Sequence, residues 1–299
     1  MSRYGPAPEN DARRHARATV DLHTHTTRSD GVLEPETLVR DAAATGLRYL
    51  AITDHDSLAA YRELAGSESD AVPAGLNLVV GVEINALTSG MDVPDHELHV
   101  LGYGMDPADE RFEEALAAQR RLRRTRFVKT VERLRDIGLS IDAQIAAVDT
   151  TRDDALGRPT IARALVAAGH AVSVEDAFAR LLGYGKPGFV PRGGLGPVEA
   201  IQLIRGAGGV PVLAHFAQAL ERLSLLRELV AVGLGGLEVF HSSFDEASRI
   251  SVGTAARTLA LVQTGGTDYH GDLGPYADAL ADLVIEPIVE EFARTMVRS

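Results

Sequence analysis

Short apolar runs separated by amphipathic stretches set the order of this chain. Ala18-Thr19-Val20 reads as a short strand. Residues 35–45 predict a helix, with Pro35 at its start, Leu38, Val39 and Ala42 on one face and Gly46 as its stop. Residues 47–53 then read as a buried strand, residues 76–82 as a third, and a fourth is centred on His99-Val100-Leu101. The pattern changes at Gly104. Residues 107–137 are strongly helical and rich in arginine, with Arg120, Arg121, Arg123, Arg124 and Arg126, and residues 142–148, 159–168 and 174–182 are helical with no strand between them. Strand and helix alternate again from Gly196-Pro197, with strands over 210–214, 237–240 and 261–264. The expected organisation is an α/β domain formed by residues 18–103 and 196–299, interrupted by a helical insertion over 104–195.

Composition narrows the chemistry. A chain of 299 residues, 45% hydrophobic and 24% charged, has the balance of a globular enzyme and ample length for a core. The 30 Lys and Arg against 42 Asp and Glu give a net charge of −12, which argues against a broad nucleic-acid surface. An anionic substrate stays open, because divalent cations in a carboxylate-lined pocket reverse its local sign. With Cys 0, disulfides, thiolate ligands and a cysteine nucleophile are excluded, so any metal must be held by His, Asp and Glu. The absence of cysteine also fits a reducing cytoplasm. No run has the length of a membrane span, and residues 1–17 lack the apolar core of a signal peptide and read as a frayed tail.

The histidines are not scattered. His23 and His25, at i and i+2 on an extended segment, point to the same side, and Asp30 can return from the following turn as an oxygen ligand. The same short motif also occurs as a polar strand end with incidental histidines. Later strands end in Asp54-His55-Asp56, Glu83, His96-Glu97-Leu98-His99, His215, His241 and Asp268-Tyr269-His270. Of the 10 His, only His15 and His170 lie away from such ends. Barrels of alternating strands and helices build their active sites at the C-terminal ends of the strands, so the distribution predicts a barrel with a metal site there. Lys186 stands out beside these, since it and Lys129 are the chain's lysines and it sits in the glycine-flanked loop Gly185-Lys186-Pro187-Gly188.

In this order the motifs His23-Thr24-His25 with Ser29-Asp30-Gly31, Thr53-Asp54-His55-Asp56, Gly81-Val82-Glu83, His96-Glu97-Leu98-His99, Ala214-His215 and Asp268-Tyr269-His270 resemble the PHP (polymerase and histidinol phosphatase) metallophosphoesterases. Gly157-Arg158-Pro159 with Ile161-Ala162-Arg163, and the segment from Gly185 to Pro191, resemble the helical domain of one subgroup. That subgroup removes the 3′-phosphate of nucleoside 3′,5′-bisphosphates, and some members trim RNA from its 5′ end. The resemblance implies a distorted, seven-stranded, TIM-like (β/α)7 barrel. It also implies two to three divalent metal ions: a first on His23, His25, Glu83 and Asp268, a second on Glu83, His99 and His215, a third on Asp30, His55 and His270. Mn, Fe or Zn suits such nitrogen and oxygen donors. His23, His25, Glu83, His215 and Asp268 are then the catalytic residues, serving attack by a metal-bridging hydroxide.

For substrate contacts the expectation is Arg158, Lys186 and Arg192 on the phosphate that is not cleaved, with His96 lining the pocket. His241, which has no ligand role to transfer, lines it too or serves as a satisfied core histidine or an acid. Asp54 is an equal candidate for orienting an imidazole or capping a strand end. The chain departs from the family at Phe216, where a proline usually follows the histidine matching His215. The alternatives are a histidinol-phosphate-type phosphatase, against which the insertion argues, and a non-catalytic metal-binding module, against which the full ligand set argues.

Overall fold

The computed structural model describes residues 18–66, 71–88, 96–148, 156–272 and 274–297; the expected tail over 1–17, with His15, lies outside them. Seven strands form one sheet in chain order: β1 (Val20–Asp21), β2 (Tyr49–Ile52), β3 (Asn77–Leu87), β4 (Glu97–Tyr103), β5 (Val210–Leu213), β6 (Gly236–His241) and β7 (Val262–Gly266). The sheet's two edges come together, Leu22 N donating to Gly265 O at 3.1 Å and Thr24 bridging Tyr269 in parallel, so the barrel is nearly closed. Closure explains why all six residues of β6 are buried, including the charged ones. Around it lie α1 (Pro35–Ala44), α2 (Ala59–Gly66), α7 (Pro197–Gly206), α8 (Leu223–Ala231), α9 (Glu246–Thr258), α10 (Tyr276–Ala281) and α11 (Pro287–Met296). Pro starts α1, α7 and α11, where its missing N–H costs nothing, and the Asp245 carboxylate caps α9 by accepting from Ser248 N.

Two strands differ from the sequence expectation. β3 does not stop at Val82 but continues through Glu83 to Leu87, and β4 returns antiparallel beside it, Leu87 opposite Glu97 and Gly81 opposite Tyr103. β4 is antiparallel to β5 as well. The connection over 88–96 is too short for a parallel crossover, which takes a dozen or more residues. Glu83 therefore lies inside its strand, and His99 near the start of β4 rather than at its end. Both still face the end of the barrel where His23, His25 and His55 emerge, because His55 bridges Glu83 and Asn85 pairs with His99.

The reversal of β4 also corrects where the helical segment departs: a fourth strand ending at the ligand face would release it beside the histidines, and this one does not. Tyr103 pairs with Val210 at the far end of the barrel, so the chain leaves from the end opposite the histidines. Helix α3 (Glu110–Asp136) then brings it back: 27 residues span about 40 Å at 1.5 Å per residue. Phe112 and Leu116 in its first half belong to the barrel core. Phe127, Val131 and Leu134 in its second half pack in a separate cluster with Ile161 and Leu165 of α5 (Arg158–Ala167) and Leu181 and Leu182 of a π-helical turn, Phe178–Leu182. The short helices α4 (Asp142–Ile145) and α6 (Val174–Ala177) complete this unit. Among the described residues no helix is long and apolar enough to cross a membrane.

Candidate metal centre

The segment after β1 carries the first histidines into the barrel mouth, and two glycines let the backbone pass. A Cβ on Gly266 would stand 2.4 Å from His23 N, and one on Gly31 2.6 Å from the His25 carbonyl, so no larger residue fits without moving either histidine. His23 Nε2 lies 3.2 Å from Asp268 Oδ1 and 3.5 Å from Glu83 Oε2, and His25 Nε2 lies 3.1 and 3.3 Å from the same two oxygens. The other Glu83 oxygen faces His99 Nδ1 at 2.6 Å and His215 Nε2 at 3.5 Å. On the opposite flank Asp30 meets His270 Nε2 at 3.3 Å and His55 Nε2 at 3.5 Å, and His55 Nδ1 comes within 2.9 Å of Glu83. Tertiary folding thus gathers all nine residues into one centre. His25 reaches toward two of its groups, since its ring also stacks on His270 at 4.2 Å.

The donor set fits divalent metal ions. His23 Nε2, His25 Nε2, His55 Nδ1 and both Asp30 oxygens are buried without a hydrogen-bond partner among the described residues, a costly state for atoms that have nothing to bind. Within three groups, His23/His25/Asp268, Glu83/His99/His215 and His25/Asp30/His55/His270, the donor atoms lie within 4.8 Å of one another. The ionisation states differ across the centre. Burial works to lower His23, His215 and His270, but nearby carboxylates push His23 and His215 up, and Asp30 pushes His270 up to about 10, so a metal ion would have to displace protons there. Burial alone would raise the Glu83 carboxyl, but His55, His99 and His23 beside it hold it well below the usual carboxylate range. Burial pushes His25 down to about 4, helped by His270, leaving a neutral imidazole.

Several supporting residues were not singled out from the sequence. Asp21 accepts from Thr267 N and Oγ1 and from the Tyr276 hydroxyl, fixing β1 against β7. Asn85 Nδ2 sits 2.6 Å from His99 Nε2, two residues beyond Glu83 on the same face of β3, a period-2 relation that the sequence did contain. Glu238, fully buried on β6, faces His23 Nδ1 at 2.9 Å, and a charged residue inside a buried strand was its only sequence signal. Asp54 orients no imidazole directly. It accepts from Thr26 N, Thr26 Oγ1 and Ser29 Oγ, so it ties down the loop after β1, and Ser29 Oγ stands 3.4 Å from His25 Nδ1.

A cavity of about 430 Å³ opens beside the centre, walled by Asp30, His55, His99 and His215 on the barrel and by Arg123, Arg126, Arg158 and Arg192 from the helical segment and its return. Glu97 sits among these cations, 3.2 Å from Arg126 and 3.2 Å from Arg158. Burial pushes its carboxyl up, but Arg158, Arg192 and Arg126 outweigh this and hold it at about 2. Phe178 and Phe216 supply apolar walls, Phe216 where the family usually has proline. His241 is buried with Nε2 3.5 Å from Asp268 Oδ2. Three expected contacts are not in the cavity wall: His241, which stays at the cluster beside Asp268, Lys186 and His96. Lys186 is exposed in a turn closed by its own N–H to Gly183 O and is absent from the cavity wall, because its glycine neighbours fold the loop back on itself. His96 is exposed too and packs on Tyr184 with ring centroids 4.1 Å apart, its backbone left-handed at φ 54°.

The PHP domain model matches residues 21–166. A 5′-3′ exoribonuclease Rnm of Salmonella typhimurium is 35% identical over 254 residues, covering 84% of this chain and 84% of that protein. The chain belongs to the PHP family. With it, this chain is a metal-dependent phosphoesterase, a hydrolase. A 3′,5′-nucleoside bisphosphate phosphatase of Chromobacterium violaceum is 31% identical over 94% of this PHP chain and 99% of that protein. A crystal structure from Bifidobacterium adolescentis, assigned as a metal-dependent phosphoesterase, superposes with a TM-score of 0.79 at 32% identity over 95% of this chain and 98% of that one. The seven-stranded barrel with its histidine and carboxylate cluster is thus the PHP barrel.

Proposed function

We propose that this PHP protein hydrolyses phosphate monoesters of nucleotides, with the 3′-phosphate of nucleoside 3′,5′-bisphosphates as its preferred target and the 5′ end of short RNA as a second substrate of the same site. One observation carries the reading: a single cavity is walled both by the metal-type cluster and by four guanidinium groups. Such a cavity offers places for two phosphates, where a mononucleotide or aryl phosphate uses one. The relatives support the same class, one a 5′-3′ exoribonuclease and the other a nucleoside bisphosphate phosphatase. With no cysteine to protect, a cytoplasmic setting belongs to the reading.

His23, His25, Glu83 and Asp268 would hold one ion, Glu83 with His99 and His215 a second, and Asp30, His55 and His270 a third, with Mn²⁺, Fe²⁺ or Zn²⁺ suited to these donors. Ions in such a site act as Lewis acids on phosphoryl oxygens and activate water. Arg158 and Arg192 bind the phosphate that is not cleaved; Arg192 Nη1 is buried without a partner, and Arg158 exchanges its Glu97 contact for the incoming anion. Phe178 and Phe216 exclude water beside the sugar and base. His241 Nε2 hydrogen-bonds the reacting phosphate from the β6 side. The helical unit from α3 to α6 serves as the specificity element, since it supplies cavity walls and guanidiniums but none of the nine donors.

The test is turnover of the purified protein, with its metal content measured by elemental analysis, on a nucleoside 3′,5′-bisphosphate, a 3′-mononucleotide, a 5′-phosphorylated oligoribonucleotide, histidinol phosphate and an aryl phosphate. The highest kcat/KM is expected on the bisphosphate. A preference for histidinol phosphate, or no turnover by the metal-loaded protein, would overturn the proposal.

A further inference from the structure

Glu238 takes no part in the reaction as proposed, yet its surroundings are hard to explain as packing. It lies on β6 with 0% exposure, between Leu237 and Val239, where a carboxylate is tolerated only if both oxygens are satisfied. Both are. Oε1 lies 2.9 Å from His23 Nδ1, and Oε2 accepts the main-chain N–H of His215 at 2.9 Å. His215 needs such an anchor, because its φ of 31° is a left-handed conformation that a residue with a side chain adopts only when its surroundings enforce it.

We propose that Glu238 is a positioning residue that sets the tautomer of His23 and clamps the backbone of His215, holding donors from β1 and β5 in register through one carboxylate on β6. This rests on the metal reading of the cluster. A carboxylate only accepts, so His23 carries its proton on Nδ1 and turns the Nε2 lone pair toward Asp268 Oδ1, 3.2 Å away, and Glu83 Oε2, 3.5 Å away. With the opposite tautomer, an N–H would occupy the direction in which a ligand atom is needed. The second contact gives Glu238 a reach that an acceptor for one imidazole lacks: moving it disturbs a histidine of each of two metal groups.

Glu238→Gln separates this role from simple packing, because it keeps the size of the side chain but has one acceptor and one NH₂. If the amide oxygen turns to His215 N–H, the NH₂ forces the Nε2–H tautomer on His23. If it turns to His23, the NH₂ meets the His215 N–H, donor against donor. The variant is expected to keep its far-UV circular dichroism and to bind Mn²⁺ or Zn²⁺ 10- to 100-fold more weakly by calorimetric titration. Glu238→Asp, which keeps two acceptors, should recover part of the loss. Long-range ¹H–¹⁵N correlation on the metal-free natural protein should find a proton on His23 Nδ1, whether or not Nε2 is protonated as well, a readout that depends on no variant folding. Unchanged metal affinity in a folded Glu238→Gln protein, or a His23 Nδ1 without a proton in the natural one, overturns the proposal. Failure of the natural protein to bind any divalent ion would instead overturn the metal reading, with the protonation of His23 Nδ1 still deciding the role of Glu238.

Discussion

Arg123 and Asp56 form an ion pair at 2.5 Å with both side chains buried, joining the middle of α3 to the loop that carries His55. Arg123 also donates to Asn85 Oδ1, and the amide nitrogen of the same Asn85 faces His99 Nε2 at 2.6 Å. A cation on the helix is thereby connected to two imidazoles of the centre. Removing one partner of a buried pair leaves the other charge uncompensated, which costs about 3–5 kcal/mol. Arg123→Ala should lower the unfolding free energy in urea by that amount; a loss under about 1 kcal/mol would mean that water solvates the Asp56 site after all.

Glu83→Ala and Asp268→Ala each remove an oxygen that faces both His23 and His25. The barrel keeps its own core of residues such as Val82, Leu101, Val212 and Leu237, so the variants should fold. Elemental analysis should find metal lost from the first group, and phosphoesterase activity should vanish. A folded variant with substantial turnover would take this group out of the mechanism.

Substrate selectivity tests the arginines against the lysine. Arg158→Ala and Arg192→Ala should reduce kcat/KM on a nucleoside bisphosphate far more than on an aryl phosphate, by about 1.5–3 kcal/mol for a lost charge-assisted contact. Lys186→Ala is the control. Exposed and outside the cavity wall, Lys186 should leave both substrates within about 0.5 kcal/mol of the natural protein. Equal losses on both substrates for the arginine variants would assign them to the reacting phosphate or to the fold.

Gly266→Ala probes the backbone approach that seats His23. The added Cβ would lie 2.4 Å from His23 N and 2.5 Å from His23 Cβ, contacts that the barrel can relieve only by displacing the histidine. Overpacking of this kind costs about 1–3 kcal/mol, and the displacement should weaken metal binding further. Thermal unfolding with and without Mn²⁺ checks both parts. A variant with natural stability and affinity would show that β1 and β7 can part without harm.

The sequence by itself determined what is local. His23 and His25 share a side because a strand has period 2, and Asp30, His55, Asp268 and His270 could be read because each sits in or beside a turn at a strand end. The barrel was legible because seven apolar runs alternate with helical patterns. Tertiary structure decided what depends on pairing. The antiparallel course of β4 has no signature in its own residues; it follows from a connection too short to cross over, and it sends α3 off from the far end of the barrel. The roles of Glu238 and Asn85 were hidden for a related reason, since a buried polar side chain reveals its purpose through partners distant in the chain, His23 at a separation of 215 and His99 at 14. Lys186 drew notice because lysine is rare here, but rarity carries no position. Only the fold of the Gly183–Gly188 turn put it outside the cavity, while Arg123 and Arg126, two of several arginines along a helix with nothing in their pattern to single them out, came to line it.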